Sequence, residues 1–306
     1  MRIAQKNCFV KGETHMIQLC AFADEAGDAL ETQIAALKRN GISLIEVRKV
    51  GDKNVADLTD GEARATARVL EQNGIRVWSV GSPLGKVDLA DAVAHMEKVR
   101  RVCEIAVLLH TENVRVFSFF KAENEPAAVK AYLAQMVAIA REYGLTLCHE
   151  NEKGIFGDTV ARVKELASAG VEGLAFVYDP ANYIQCGQDT REAMAAMFDR
   201  TRYFHIKDVI AETGQLVPAG EGDGHIDELL ARIRDTGRDA VLTLEPHLKV
   251  FAGYADIDDT ALQTKYVYET NEESFDAAAN AMRGLLIGAG YHAAVNEKGE
   301  HIWQAR

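Results

Sequence analysis

The feature that most constrains the fold is an alternation, repeated eight times, of a short apolar segment with a longer amphipathic one. In the longer segments, such as Ala29–Arg39 and Ala63–Gln72, apolar residues recur at spacings of three and four, which is typical of helices. Glycines, which commonly terminate helices, follow several of these segments. They are Gly41, Gly74, Gly144 and Gly170.

The short apolar segments predict eight strands. Strands that alternate with helices favour a parallel sheet, and eight is the number that closes a (β/α)8 TIM barrel. An open doubly wound sheet is the alternative, but its glycine-rich phosphate turn is not found after the first strand, where Ala23–Gly27 follows. The predicted strands are Met16–Phe22, Leu44–Arg48, Arg76–Val80, Asn113–Phe117, Leu145–Glu150, Leu174–Asp179, Tyr203–Lys207 and Ala240–Glu245.

The 306 residues fit one barrel domain with short extensions. We place the barrel at residues 16–290, with its last helix near Glu273–Ile287. Residues 1–15 are an N-terminal extension without the apolar segment of a signal peptide, and residues 291–306 are a C-terminal tail.

Charge and hydropathy argue against a nucleic-acid-binding or membrane protein. A formal charge of −12 argues against nucleic-acid binding, which needs clustered Lys and Arg. No apolar run is long enough to span a membrane. The five cysteines are scattered and form no CxxC motif, which suits the cytoplasm. We expect a cytoplasmic protein with a small-molecule substrate, and a homo-oligomer or a partner subunit is compatible with the sequence.

Chemically active side chains lie at the ends of the last four predicted strands. In a parallel barrel these ends meet at one rim, where active sites form. Three carboxylates and one imidazole at that rim suit a single divalent metal ion, with Mn²⁺ as first choice and Mg²⁺, Co²⁺ or Zn²⁺ as alternatives. The predicted ligands are Glu150, Asp179, His205 and Glu245.

Strand alternation adds neighbours to this set, because residues two apart share a face. Lys207 lies on the same face as His205, where it would either stabilise a substrate oxyanion or pair with a ligand carboxylate. His149 precedes Glu150, so strict alternation turns it away from the metal, although a catalytic role stays open. The predicted substrate-binding residues are Glu46, Arg48, Glu152, Asn182 and His247.

Two glycine-containing segments lie between predicted elements. Gly220–Gly224 lacks the lysine of a phosphate-binding P-loop and is better explained as a turn before a helix near Ile226–Ile233, with Glu221 able to face the site. Gly81–Gly85 follows the third strand and is expected to form a rim loop.

At these residues the chain resembles the sugar phosphate isomerase/epimerase group of the xylose-isomerase-like barrel superfamily, from about Met16 to about Ile287. The matching segments are Ala21–Glu25, Ile45–Arg48, His149–Glu152, Asp179–Asn182, His205–Asp208 and Leu244–His247. The resemblance implies the same four metal ligands. By analogy with ketose 3-epimerases, Glu150 and Glu245 would also be the catalytic acid/base pair.

The sequence departs from the ketose 3-epimerases at three positions. Phe156, Asn182 and Ala211 stand where those enzymes have a substrate-binding Glu, a His and an Arg. These differences put in doubt a free ketohexose bound in the same manner, while they leave the metal ligands unaffected.

These observations predict an isomerase or epimerase that acts on a small keto-sugar or polyol through a metal-stabilised enediolate. A carboxylate near the substrate C–H can remove the proton, and a second can return it. A lyase or dehydratase could use the same site for β-elimination. A phosphodiesterase resembling the apurinic endonucleases is a remote alternative, which the acidity of the chain disfavours. A non-enzymatic subunit or sugar-binding module is a further one, which the intact ligand set disfavours.

Overall fold

The structure is a computed structural model, and it describes residues 15–168, 171–252, 254 and 261–305. Eight parallel strands pair in chain order, and the eighth closes onto the first. The predicted TIM barrel is therefore confirmed. The strands are β1 Met16–Ala21, β2 Leu44–Val47, β3 Arg76–Val80, β4 Asn113–Val116, β5 Thr146–Glu150, β6 Ala175–Tyr178, β7 Thr201–Ile206 and β8 Ala240–Leu244.

Helices follow the strands and pack around the barrel. Most of the large apolar core lies between the strands and these helices, while a smaller cluster that includes Cys148 and Tyr203 fills the interior. The helices are α1 Leu30–Arg39, α2 Asp60–Gln72, α3 Ala92–Leu108, α4 Pro126–Glu142, α5 Val160–Ser168, α6 Pro180–Gln185, α7 Thr190–Met197, α8 Ile226–Thr236 and α9 Asn271–Gly288. None of these helices is long and apolar enough to cross a membrane.

The helix boundaries follow local sequence signals. Thr59 and Glu62 form a capping box at the start of α2, with the Glu62 amide donating to the Thr59 side chain. Gly41, Gly74 and Gly144 adopt positive φ after α1, α2 and α4, as the predicted helix ends require. The fourth such prediction, Gly170, lies outside the described residues.

The C-terminal residues form a hairpin that the periodicity did not predict. Its strands are β9 Tyr291–Val295 and β10 His301–Ala305, and β10 pairs antiparallel with the first residues of β1. Ile302 is buried at this junction. The hairpin thus packs against the N-terminal end of the barrel, opposite the rim on which the predicted site residues lie. Of the predicted N-terminal extension, residues 1–14 lie outside the described residues.

Two further predictions concerned loops. Gly220–Gly224 does form a turn before α8, and Asp208 organises it by accepting the amide hydrogens of Gly220, Gly222 and Gly224. Glu221 is partly exposed and accepts a hydrogen bond from the Tyr266 hydroxyl. In the loop after β3, Gly85 has a φ of +87°, and a side chain there would clash with the backbone of Phe117.

Candidate metal centre

The four predicted ligands meet at the C-terminal rim of the barrel. Glu150 is the last residue of β5, His205 lies near the end of β7, and Asp179 and Glu245 directly follow β6 and β8. Each offers one ligand atom, these atoms lie within 4.8 Å of one another, and all four residues are buried.

Asp179 is fixed by the backbone around it. It is the N-cap of α6, and its Oδ1 accepts the Asn182 amide at 2.9 Å, while Pro180 stands at the first helical position. Asn151 bridges β5 and β6, because its side chain exchanges two hydrogen bonds with the Asp179 backbone. One carboxylate oxygen of Asp179, Oδ2, is thereby left to point into the cluster.

Several carboxylate oxygens in the cluster accept no hydrogen bond from a described residue. They belong to three of the four predicted ligands and are fully buried. Arg115, Lys207 and His205 lie 3.0–3.2 Å from them and compensate part of their charge, and burial of the remaining negative charge is costly. They are Glu150 Oε2, Asp179 Oδ2 and Glu245 Oε2. Hard oxygen donors beside one imidazole nitrogen are the set that Mn²⁺ or Mg²⁺ binds, and Zn²⁺ accepts it as well. The residues therefore fit a divalent cation.

His205 lies among carboxylates on both sides of its ring. Its Nδ1 lies 2.8 Å from Glu150 Oε1 and 3.0 Å from Glu245 Oε2, while Nε2 lies 3.1 Å from Glu46 Oε2. Burial would lower the pKa of His205, but Glu150, Glu46 and Glu245 outweigh it and raise this pKa well above its usual value. With Nε2–H donated to Glu46, Nδ1 is the nitrogen that can bind a metal.

Glu46 was predicted to bind substrate, but the structure places it beneath His205. The Tyr203 hydroxyl donates to Glu46 Oε1 at 2.7 Å, so both carboxylate oxygens of Glu46 are engaged. It orients the imidazole ring from the interior of the barrel.

Cations surround the cluster and hold its carboxylates in place. Lys207 Nζ lies 3.0 Å from Asp179 Oδ2, which is the pairing predicted as one of its two options. Arg48 bridges Asp24 at 2.9 Å and Glu245 at 3.0 Å, and Arg115 lies 3.2 Å from Glu150 Oε2. All three cationic side chains are almost completely buried.

Negative charge nevertheless exceeds positive charge around this site. Burial raises the pKa of Glu25 to about 8, although Arg48 opposes it. Burial also raises the pKa of Asp179. The negative charges of Glu150 and Glu245 add to this increase and Lys207 offsets only part of it, so that the pKa of Asp179 is about 7. Burial would also raise the pKa of Glu245, but the positive charges of Lys207 and His205 outweigh burial and lower this pKa well below the usual value. A divalent cation would relieve this excess of negative charge.

The structure places three other predicted substrate-binding residues around the ligands. Asn182 donates to the Asn151 carbonyl and lies 3.4 Å from Glu150 Oε1. The amide of His247 donates to Glu25, and its ring nitrogen lies 3.6 Å from Glu245 Oε1. Glu152 pairs with Lys86 at 3.1 Å.

His149 lies on the other face of β5 from Glu150. Its ring contacts Phe176 and packs against Gly157. Burial lowers its pKa to about 3, so the ring is neutral at pH 7. His149 therefore does not join the cluster, as strict strand alternation implies.

Four further charged residues line this site and carry no predicted role: Asp24, Glu25, Lys86 and Arg115. Arg115 lies in a strand whose neighbouring residues are apolar, and a buried charge in such a strand was the available signal. Asp24 and Glu25 directly follow β1, at the same rim as the predicted ligands.

Comparison with known proteins fits this architecture. A family model described as a xylose isomerase-like TIM barrel matches residues 34–266. The chain belongs to this family. A search of curated proteins found no match.

Many solved structures have a similar fold, among them the following three. A D-psicose 3-epimerase crystallised with D-fructose aligns with a TM-score of 0.69 at 16% identity, covering 89% of this chain and 99% of that one. The IolI protein with a bound zinc atom aligns at 0.67 and 15% identity, covering 88% and 97%. A probable 3-DHS dehydratase from Bacillus anthracis aligns at 0.66 and 15%, covering 87% and 98%.

Proposed function

We propose that this protein is a divalent-metal-dependent isomerase or epimerase that moves a proton next to the carbonyl of a small keto-sugar or polyol. The observation that carries this proposal is the pair Glu150 and Glu245. Each carboxylate has an oxygen 2.8–3.0 Å from His205 Nδ1, and each has a buried oxygen that accepts no well-oriented hydrogen bond. The similar fold of the D-psicose and L-ribulose 3-epimerases supports the substrate class.

The proposed chemistry divides between the ion and the side chains. When bound, a divalent ion, with Mn²⁺ as first choice, would polarise a substrate carbonyl and its neighbouring hydroxyl. Glu150 and Glu245 would then take and return the proton at the adjacent carbon. Arg115 and Arg48, at 3.2 and 3.0 Å, would hold these two carboxylates in fixed orientations. Lys207 would keep Asp179 oriented.

A lyase or dehydratase is the second candidate. It would begin with the same proton abstraction and then expel a β-substituent. The similarity to the probable 3-DHS dehydratase favours it, as does Phe156 at the position of the epimerases' substrate-binding glutamate. In this case one glutamate would carry most of the proton transfer, and the other would act mainly through the metal.

The deciding experiment is incubation of Mn²⁺-loaded protein with keto-sugars and keto-inositols in D₂O, followed by NMR. Deuterium at a carbon next to the carbonyl identifies the substrate and the position, and the product separates epimerisation from elimination. Glu150→Gln and Glu245→Gln should each reduce exchange by about 10²–10⁴-fold. In an epimerase the two variants should impair opposite directions of exchange. Exchange that is unchanged in both variants would exclude these glutamates as the bases.

A further inference from the structure

A second cavity lies at the opposite end of the barrel from the metal centre. Its volume is about 530 Å³, within the range of roughly 300–1,000 Å³ that is typical of ligand pockets. It is lined by the first residues of several strands and by residues that precede them. Its polar and aromatic lining includes Gln18, Trp78, Arg200, Arg202, Arg238 and Asp239.

The three arginines of this cavity donate only to neutral oxygens. Arg200 donates to the Ala167 carbonyl at 2.9 Å, and Arg202 donates to the Asn113 side chain at 3.1 Å. Arg238 donates to the carbonyls of Phe198 and Thr201. Within the described part of the chain, none of the three forms an ion pair. Three such guanidinium groups are notable in a protein with a formal charge of −12.

The rest of the lining neutralises these three arginines only in part, because it contains a single carboxylate. The one carboxylate in the lining, that of Asp239, accepts the Met16 amide at 2.8 Å. Trp78 stacks under Arg202, whose guanidinium carbon lies 5.8 Å from the ring centroid. Burial lowers the pKa of Arg238, which shows that this cation is partly desolvated without a sufficient counter-charge. The cavity is therefore cationic and has an aromatic wall.

We propose that this cavity is a binding site for a small anion that carries a phosphate group. Guanidinium groups recognise phosphate through paired, charge-assisted N–H donors, and Arg200, Arg202 and Arg238 all line one cavity of sufficient size. The site is separate from the metal centre, and its existence does not depend on the function proposed for that centre.

The first test is a calorimetric titration of the full-length protein with inorganic phosphate. Arg202→Gln and Arg238→Gln should each weaken phosphate binding at least tenfold, because each removes a charged donor. The matched control is Arg232→Gln. Like Arg238, Arg232 is half-buried, donates to a backbone carbonyl and stacks on the Phe198 ring, but it does not line the cavity. Its substitution should leave phosphate affinity unchanged.

A second measurement does not require the arginine variants to fold. The chain has two tryptophans, so Trp303→Phe leaves Trp78 as the only fluorescent indole. Phosphate should then change the fluorescence of Trp78 saturably, with the affinity found by calorimetry. Absence of saturable binding up to about 10 mM phosphate, which corresponds to a Kd weaker than millimolar, would overturn the proposal. Equal affinity in wild type, Arg202→Gln and Arg238→Gln would do the same, because phosphate would then bind elsewhere.

Discussion

Glu46 shows how a single residue outside the ligand set can control the metal centre. It accepts from His205 Nε2 and from the Tyr203 hydroxyl, so it fixes both the orientation and the tautomer of the imidazole. Hydrogen-bond partners of a metal-binding histidine commonly fix its ring orientation and contribute to metal affinity.

We therefore expect Glu46→Gln to lower Mn²⁺ affinity by about 10–100-fold while the fold is kept. The measurement is a metal titration by calorimetry. Glu62→Gln is the control, because Glu62 is a surface carboxylate that pairs with Lys53. Equal Mn²⁺ affinity in both variants would show that Glu46 does not position His205.

Substitution of Arg48 tests how much its ion pairs with the buried carboxylates stabilise the fold. Its removal leaves Asp24 and Glu245 without their shared cation, so Arg48→Met should lower the free energy of unfolding by about 3–5 kcal/mol. Arg39→Met is the control, since Arg39 pairs with Asp276 at the surface and its loss should cost about 0–1 kcal/mol. The comparison is made by urea denaturation, and equal losses would contradict this account of the cluster.

At the scale of elements, the sequence predicted the barrel because each strand and helix has its own periodic pattern. Strand alternation grouped Glu46 with Arg48 and His205 with Lys207, and in the structure Glu46, Arg48 and Lys207 each contact one of the four predicted ligands. The pairing of Arg115 with Glu150 does not follow from strand alternation, because it depends on the distance between side chains of different strands. Asp179 and Glu245 lie one residue beyond their strands, where alternation no longer applies.

The C-terminal hairpin was missed for a related reason. Its strands are short and largely exposed, so their pattern is weak. Only β10 pairs with β1, and its partner residues come almost three hundred positions earlier in the chain. If the hairpin is part of the barrel, Ile302→Ala should lower the free energy of unfolding by about 2–5 kcal/mol. Glu297→Ala, in the exposed turn of the same hairpin, should have almost no effect. Thermal or urea unfolding that is the same for both variants would count against a structural role.

At the scale of the whole molecule, charge limits the range of partners. With a formal charge of −12, we expect no measurable affinity for duplex DNA at physiological salt. A gel-shift titration at low and physiological ionic strength measures this. Salt-sensitive binding of DNA would revive the endonuclease alternative and weaken the sugar-directed one.

The proposed function requires that the cluster of Glu150, Asp179, His205 and Glu245 binds a metal ion. The measurement is elemental analysis of wild type and Asp179→Ala, both purified without chelator, with the surface variant Asp276→Ala as control. We predict close to one divalent ion per chain in wild type and in the control, and almost none in Asp179→Ala. Equal metal content in all three proteins would contradict the assignment.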